Sequence, residues 1–244
     1  MNNYDYNLDE LNAQRGYQPI ETQRSLSGYL SKVMRSVYLR MFLGLLAKAF
    51  TSLYIASNEA LVTTLFSSQF IFFGLMIAEL AVVIILSSMI NKMSTAMATA
   101  LFYLYAVLNG VVFTSILFVY SPAVIFKTFL ITAGTFAAMS IFGYTTKQDL
   151  SKFGTYMVMA LIGLIVCSIV NIFLKSSGFD WLISLAGVAI FVGLTAWDTQ
   201  KIKAMAMATD EENVGKLATM GALSLYLDFI NLFLYLLRIF GRER

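Results

Sequence analysis

Histidine is absent from this 244-residue chain, cysteine occurs once, proline twice, and charged residues make up only 13% of the sequence. Each shortage excludes something. A single cysteine, Cys167, cannot form an intrachain disulfide, and without histidine there is no ordinary zinc site. Imidazole is also unavailable as a switch near neutral pH, so any such response must come from carboxylates in unusual surroundings. Soluble domains carry roughly 25% charged residues. Here 59% of the residues are hydrophobic, more apolar surface than a soluble fold of this length could hide. The net charge of +3 is not gathered into a basic cluster interleaved with polar residues, so nothing points to nucleic acid. The composition is that of an integral membrane protein, with the lipid bilayer as its first partner.

What the chain does have is apolar runs. Residues 1–37 are polar and mixed in charge and read as a cytoplasmic arm, without the early apolar core of a cleavable signal peptide. Residues 38–240 then hold seven runs, approximately 38–57, 67–90, 95–119, 125–146, 153–174, 181–200 and 218–238, and a crossing needs about 20 residues. The runs are continuous, without the period-two alternation of barrel strands, so the expected fold is an all-α bundle of seven transmembrane helices. Ser121-Pro122 separates the third run from the fourth. With the N-terminus in the cytoplasm, the basic residues from Arg15 to Arg40 fall inside, with Lys92, Lys147, Lys152, Lys201, Lys203 and Lys216. Lys127, Lys175, Arg238, Arg242 and Arg244 fall outside, and this bias favours that orientation. The basic tail, residues 241–244, runs against the bias. A seventh segment that only dips into the membrane would return it inside, but a full crossing is preferred.

Polar residues within the runs are the candidates for function. Asp228 stands in "LYLDFINLF", where a carboxylate costs several kcal/mol unless paired, hydrated or protonated. Helical steps from it reach Ser224 and Gly221 in one direction and Asn231, Tyr235 and Arg238 in the other, a polar stripe on one face. The sixth run carries a weaker stripe of Ser184, Gly187, Thr195 and Asp198. For Asp198, a solvated helix-end carboxylate is as good a reading as a functional one. For Asp228 the depth favours function, with a structural carboxylate bonded to Asn231 as the rival. Lys48 and Glu79 sit at similar depths in the first two runs, differing by about 2 Å on a rise of 1.5 Å per residue. A stabilising ion pair, or Lys48 snorkelling to an interface, suits the apolar neighbours of Glu79; a cation path lined by Glu79 is the alternative. Asn109 and Asn171 are expected to hydrogen-bond between helices.

The segments "GALSLYLDFINLFLYLLRIFG", "FVGLTAWDTQKIK", "FGYTTKQDLSKFG", "LYAVLNGVVFTSILFVY" and "ILSSMINKMS" occur in this order, and the chain from about Tyr29 onward resembles the bacterial branch of the Bax inhibitor-1 (transmembrane Bax-inhibitor motif) family. The resemblance implies a bundle whose seventh helix is central, a bacterial inner-membrane location and a pH-sensitive calcium leak. It also implies that Asp198 and Asp228 form a hydrogen-bonded pair acting as pH sensor and gate; Thr195, Ser224 and Asn231, from the two stripes, are the supporting polar face. A family basic residue that latches onto the sixth-helix aspartate corresponds to Lys92, where lysine offers a point charge and not a guanidinium fork. By residue count Asp228 lies near mid-membrane and Asp198 near the inner boundary, so the two meet only if the seventh helix starts high or tilts.

Two carboxylates in contact resist ionising together and hold one proton between them. Such a pair would clamp the sixth helix to the seventh, and a change in its protonation would loosen the clamp. Once ionised, the same oxygens suit Ca²⁺, so Asp198 and Asp228 are also the candidate calcium ligands. No other cofactor and no enzymatic activity are expected. Intramembrane aspartyl proteases set their second aspartate in Gly-x-Gly-Asp, whereas "LYL" precedes Asp228; a retinal lysine and an Asn-Pro-x-x-Tyr receptor motif are missing as well. The competing reading is a non-conducting regulator that binds another membrane protein, such as a quality-control protease.

Overall fold

The computed structural model describes residues 20–209 and 211–241. It holds eight α-helices: α1 (Ile20–Ala56), α2 (Glu59–Phe66), α3 (Gln69–Met89), α4 (Thr95–Val119), α5 (Pro122–Thr145), α6 (Ser151–Leu174), α7 (Ser177–Met207) and α8 (Val214–Phe240). All but the short α2 are long and apolar enough to cross a membrane. At 27 residues, α8 would extend about 40 Å, more than a hydrocarbon core, so its length suits a full crossing.

Local chemistry sets the breaks. Asn58, Ser94, Ser121 and Ser176 each accept a hydrogen bond from a backbone N–H three residues on, and Pro122 occupies the first turn of α5, where its missing N–H costs nothing. The expected interhelical role of Asn171 is not what the structure shows. Its backbone carbonyl accepts from Lys175 N at 2.8 Å and its side chain accepts from Ser176 N at 3.2 Å, so it closes the end of α6. Lys175 there has φ 49°, the left-handed conformation of a helix C-terminus.

The first span starts earlier than residue 38. The helix is continuous from Ile20, and Leu30, Val33, Met34 and Val37 are buried. Leu30 and Val33 pack with Ala206 and Leu217, so this part of the supposed arm is a helix seated on α7 and α8. The helical spacing of those apolar residues is the reason: a face of that kind must be buried. The arm's remainder, residues 1–19, and the tail 242–244 lie outside the described residues.

Seven crossings do not bury themselves equally. In the most apolar stretch of α8, 67% of residues are buried and in α7 50%, against 6% in α3 and in α6. The last helix is therefore the centre, touching α1, α4, α5 and α7, while α3 and α6 face outward. Lipid is as apolar as a leucine side chain, so what draws the central helices together is close packing. Ala218 and Ala222 have no exposed surface, and a Cβ at Gly110 of α4 would come 2.7 Å from the Lys48 carbonyl of α1. Among the rings around α8, Phe229 meets Phe129 and Phe136, and Tyr226 meets Phe102 and Tyr105.

Candidate functional site: the acid pair of the last two spans

Asp228 is 4% exposed, and its Oδ2 is buried with no hydrogen-bond partner among the described residues. Asp198 is close enough to act on it electrostatically and in turn feels Lys201 one turn along α7. No hydrogen bond joins the two carboxyl groups among the described residues, so the expected hydrogen-bonded pair is not formed in this structure. The mismatch in depth is reduced by direction. From the loop joining the two helices, Asp198 lies about 14 Å up α7 and Asp228 about 21 Å up α8, counting 1.5 Å per residue. Side chains lean toward the N-terminus of their own helix. Because α7 and α8 run in opposite directions, Asp198 leans away from the loop and Asp228 toward it, which narrows the offset.

The hydroxyls and amide nearby are spent within their own helices. Thr195 and Thr199 are fully buried, but each hydroxyl donates to a carbonyl one turn back on α7, Phe191 O at 2.7 Å and Thr195 O at 2.8 Å. Asn231 is likewise used within its own helix, its amide donating to Leu227 O at 2.8 Å. The expected bond from Asn231 to the carboxylate is thus not formed, and Ser224 is half-buried without a hydrogen bond to Asp228. Lys201 lies over the Trp197 ring, 4.8 Å from its centroid, which keeps a cation beside Asp198. Lys92 is not drawn into the site. It sits exposed on the 3₁₀ turn Ile90–Lys92, with no hydrogen bond or ion pair to Asp198. A hydrated ammonium gains little by leaving water for a half-buried acid that already has a lysine one turn away.

Lys48 and Glu79 are brought near one another and act on each other electrostatically, but not as a contact ion pair. The Glu79 carboxylate accepts from the Asn109 amide, and the Asn109 carbonyl oxygen accepts from Tyr226 OH at 3.0 Å. A polar chain therefore links α3 through α4 to the central helix, and here Asn109 does bond between helices. Lys48 is 4% exposed and rests against Phe113, its Nζ 4.0 Å from the ring centroid. It does not snorkel to an interface.

A residue that composition placed among cytoplasmic charges turns out to hold the base of α8. The Arg40 guanidinium donates to Gly215 O and to Thr219 Oγ1, and Thr219 is also 3.1 Å from Thr99 Oγ1 on α4. Three helices meet there. The signal was available in the spacing, because Arg40 follows Val33 and Val37 on the buried face of α1. Arg40→Met keeps the stem and removes the donors, and should cost about 1–3 kcal/mol. The measurement is thermal unfolding of the purified protein in detergent; an unchanged midpoint would mean that the guanidinium is held by water and not by α8.

Outside the spans, Asp149 in the α5–α6 turn accepts from Ser151 N at 2.9 Å, and that bonding holds its carboxyl below the usual range. The turn is pinned to α7 by Gln200, which accepts from Leu150 N and donates to Gln148 O, both at 2.8 Å. Among the described residues, no group of three or more His, Cys, Asp or Glu side chains gathers into a metal site. Asp228 and Asp198 supply carboxylate oxygens from the last two spans, and Glu79 supplies one from α3, bonded to Asn109.

Seven helices long and apolar enough to cross, packed about the last of them, define an integral membrane protein. The family model for "Inhibitor of apoptosis-promoting Bax1" matches residues 30–244, and the chain belongs to that family, Bax inhibitor-1. It is 50% identical over 218 residues to the inner membrane protein YbhL of Escherichia coli, an alignment covering 88% of this chain and 93% of the relative. A protein of Borreliella burgdorferi is 44% identical, over 88% of this chain and 93% of its own length. One of Rickettsia prowazekii, RP147, is 41% identical over 88% and 91%.

Proposed function

We propose that the chain is a calcium leak channel of a bacterial inner membrane, N-terminus in the cytoplasm, whose opening follows pH through Asp198 and Asp228. The observation that carries this reading is a carboxylate enclosed in the central helix, with an unpartnered oxygen and a second acid as its charged neighbour. Packing alone has no use for such a group, because an apolar side chain in its place would be less costly. A proton held between the two acids stabilises the contact of α7 with α8; removing it leaves two like charges in a low-dielectric site and pushes the helices apart. Oxygens so exposed attract a hard divalent cation, and Ca²⁺ would cross as a partly hydrated ion, since two carboxylates cannot fill its shell of six to eight oxygens. The crossing with least packing to lose is peripheral: α3 has a single buried residue, Leu86, and a polar attachment through Glu79 to Asn109.

The test is flux by the purified protein alone in calcium-loaded liposomes, measured with an external indicator dye across a pH series. Leak above that of empty liposomes, changing with pH, is the expected result. No leak at any pH would overturn the channel and leave a non-conducting regulator that acts by binding another membrane protein.

A further inference from the structure

One cavity has no place in that mechanism. Between α1, α4, α5 and α8, toward the end of the bundle where α1 finishes and α5 begins, lies a pocket of about 480 Å³. Its walls include Phe113, Phe126, Phe129, Phe229 and Phe233, and among these rings stands Lys48. This lysine is 4% exposed, and among the described residues its ammonium makes neither a hydrogen bond nor a contact ion pair. Glu79 acts on it across space but has its own hydrogen bond, from Asn109. Phe113 is the group that touches the cation. A lysine can donate three hydrogen bonds, and leaving them unmade in an apolar enclosure is costly.

Apolar walls with one convergent charged group are the make-up of a small-molecule site, and the volume lies in the usual range of roughly 300–1,000 Å³. We infer that this pocket binds a carboxylic acid with a long apolar tail, its head paired with Lys48 and its tail against the phenylalanine rings. The rings select for a hydrocarbon body; the ammonium selects for an anionic head. A carboxylic acid suits this depth better than a phosphate ester does, because it can pass through hydrocarbon as the neutral acid, whereas a phosphate stays charged. A single ammonium, a point charge without a fork, matches a single carboxylate head.

The probe is palmitic acid carrying a mid-chain diazirine, irradiated with the full-length protein in nanodiscs, with the labelled peptides identified by mass spectrometry. The expected labels fall on the α4 and α5 segments around Phe113, Phe126 and Phe129, and excess unlabelled palmitic acid competes them away. The methyl ester of the same probe should label these positions about tenfold less, the loss expected for one charge-assisted contact. Lys48→Met, which keeps the length and apolar stem, should reduce labelling by the acid to the level of the ester. Equal labelling by acid and ester in the wild-type protein would overturn the inference, showing that any acyl chain fills the gap. Labelling spread evenly over lipid-facing helices, without competition, would do the same. The comparison of acid with ester needs no variant, so it decides the matter even if Lys48→Met fails to fold.

Discussion

Asp228→Asn should give a calcium leak that no longer varies with pH. The amide has nearly the shape of the carboxyl group, so the packing at this buried position is kept, while the proton that we propose is shared with Asp198 is gone. Titration of the remaining acid alone lacks the like-charge repulsion that separates the two states, and Asp198 has Lys201 to balance its charge. Stability should hold or rise, because a buried group that is costly to ionise is replaced by one that cannot ionise. The measurement is flux in liposomes at matched protein content across the pH series, beside thermal unfolding in detergent. A variant that melts like wild type and keeps the wild-type pH profile would remove the pair from the gate. Asp198→Asn provides the complementary case: it too should flatten the profile, because either acid alone fails to make the pair.

Seven crossings were legible because the membrane is a severe filter: twenty apolar residues in a row have few other uses, whereas the centrality of the last one came only with the family resemblance. Asp228 was legible for the same reason. What the sequence hid is whatever depends on which helices are neighbours. Lys48 and Glu79 have matching depths, yet depth does not tell that Asn109 would bond the carboxylate while the ammonium is left against the Phe113 ring. Lys92 and Arg40 both looked like cytoplasmic basic residues; one stays in water and the other clamps the first turns of α8. Polar residues in a membrane helix can also satisfy themselves on their own backbone, as Thr195 and Asn231 do, and a stripe on a helical wheel cannot separate that from a bond across an interface. Helix ends moved because the start of α1 is amphipathic, too polar to count as membrane and apolar enough on one face to bury Val33 and Val37.

The largest loss of stability should come from Gly143→Val. A Cβ at this position of α5 would stand 2.1 Å from the carbonyl oxygen of Ala196 on α7 and 2.8 Å from its carbonyl carbon, and both are backbone atoms that cannot rotate away. The two helices approach so closely only because Gly143 offers no side chain, and the gap needed for valine would have to come from moving one helix. Ala196 is 1% exposed and lies two residues before Asp198, so a shift of α7 at this point also carries the acid out of register with Asp228. Overpacking of this kind costs at least the usual 1–3 kcal/mol, with the backbone clash placing it at about the upper end or beyond. Unfolding in detergent should therefore move to markedly lower temperature, and the surviving folded protein should show a weakened pH dependence of leak. Gly134→Val on the same helix is the control, since a Cβ there meets nothing within 4 Å and the substitution should be close to neutral. Equal midpoints for the two variants would mean that α5 and α7 do not meet at Gly143 in the membrane, and that the acid of α7 is positioned by some other contact.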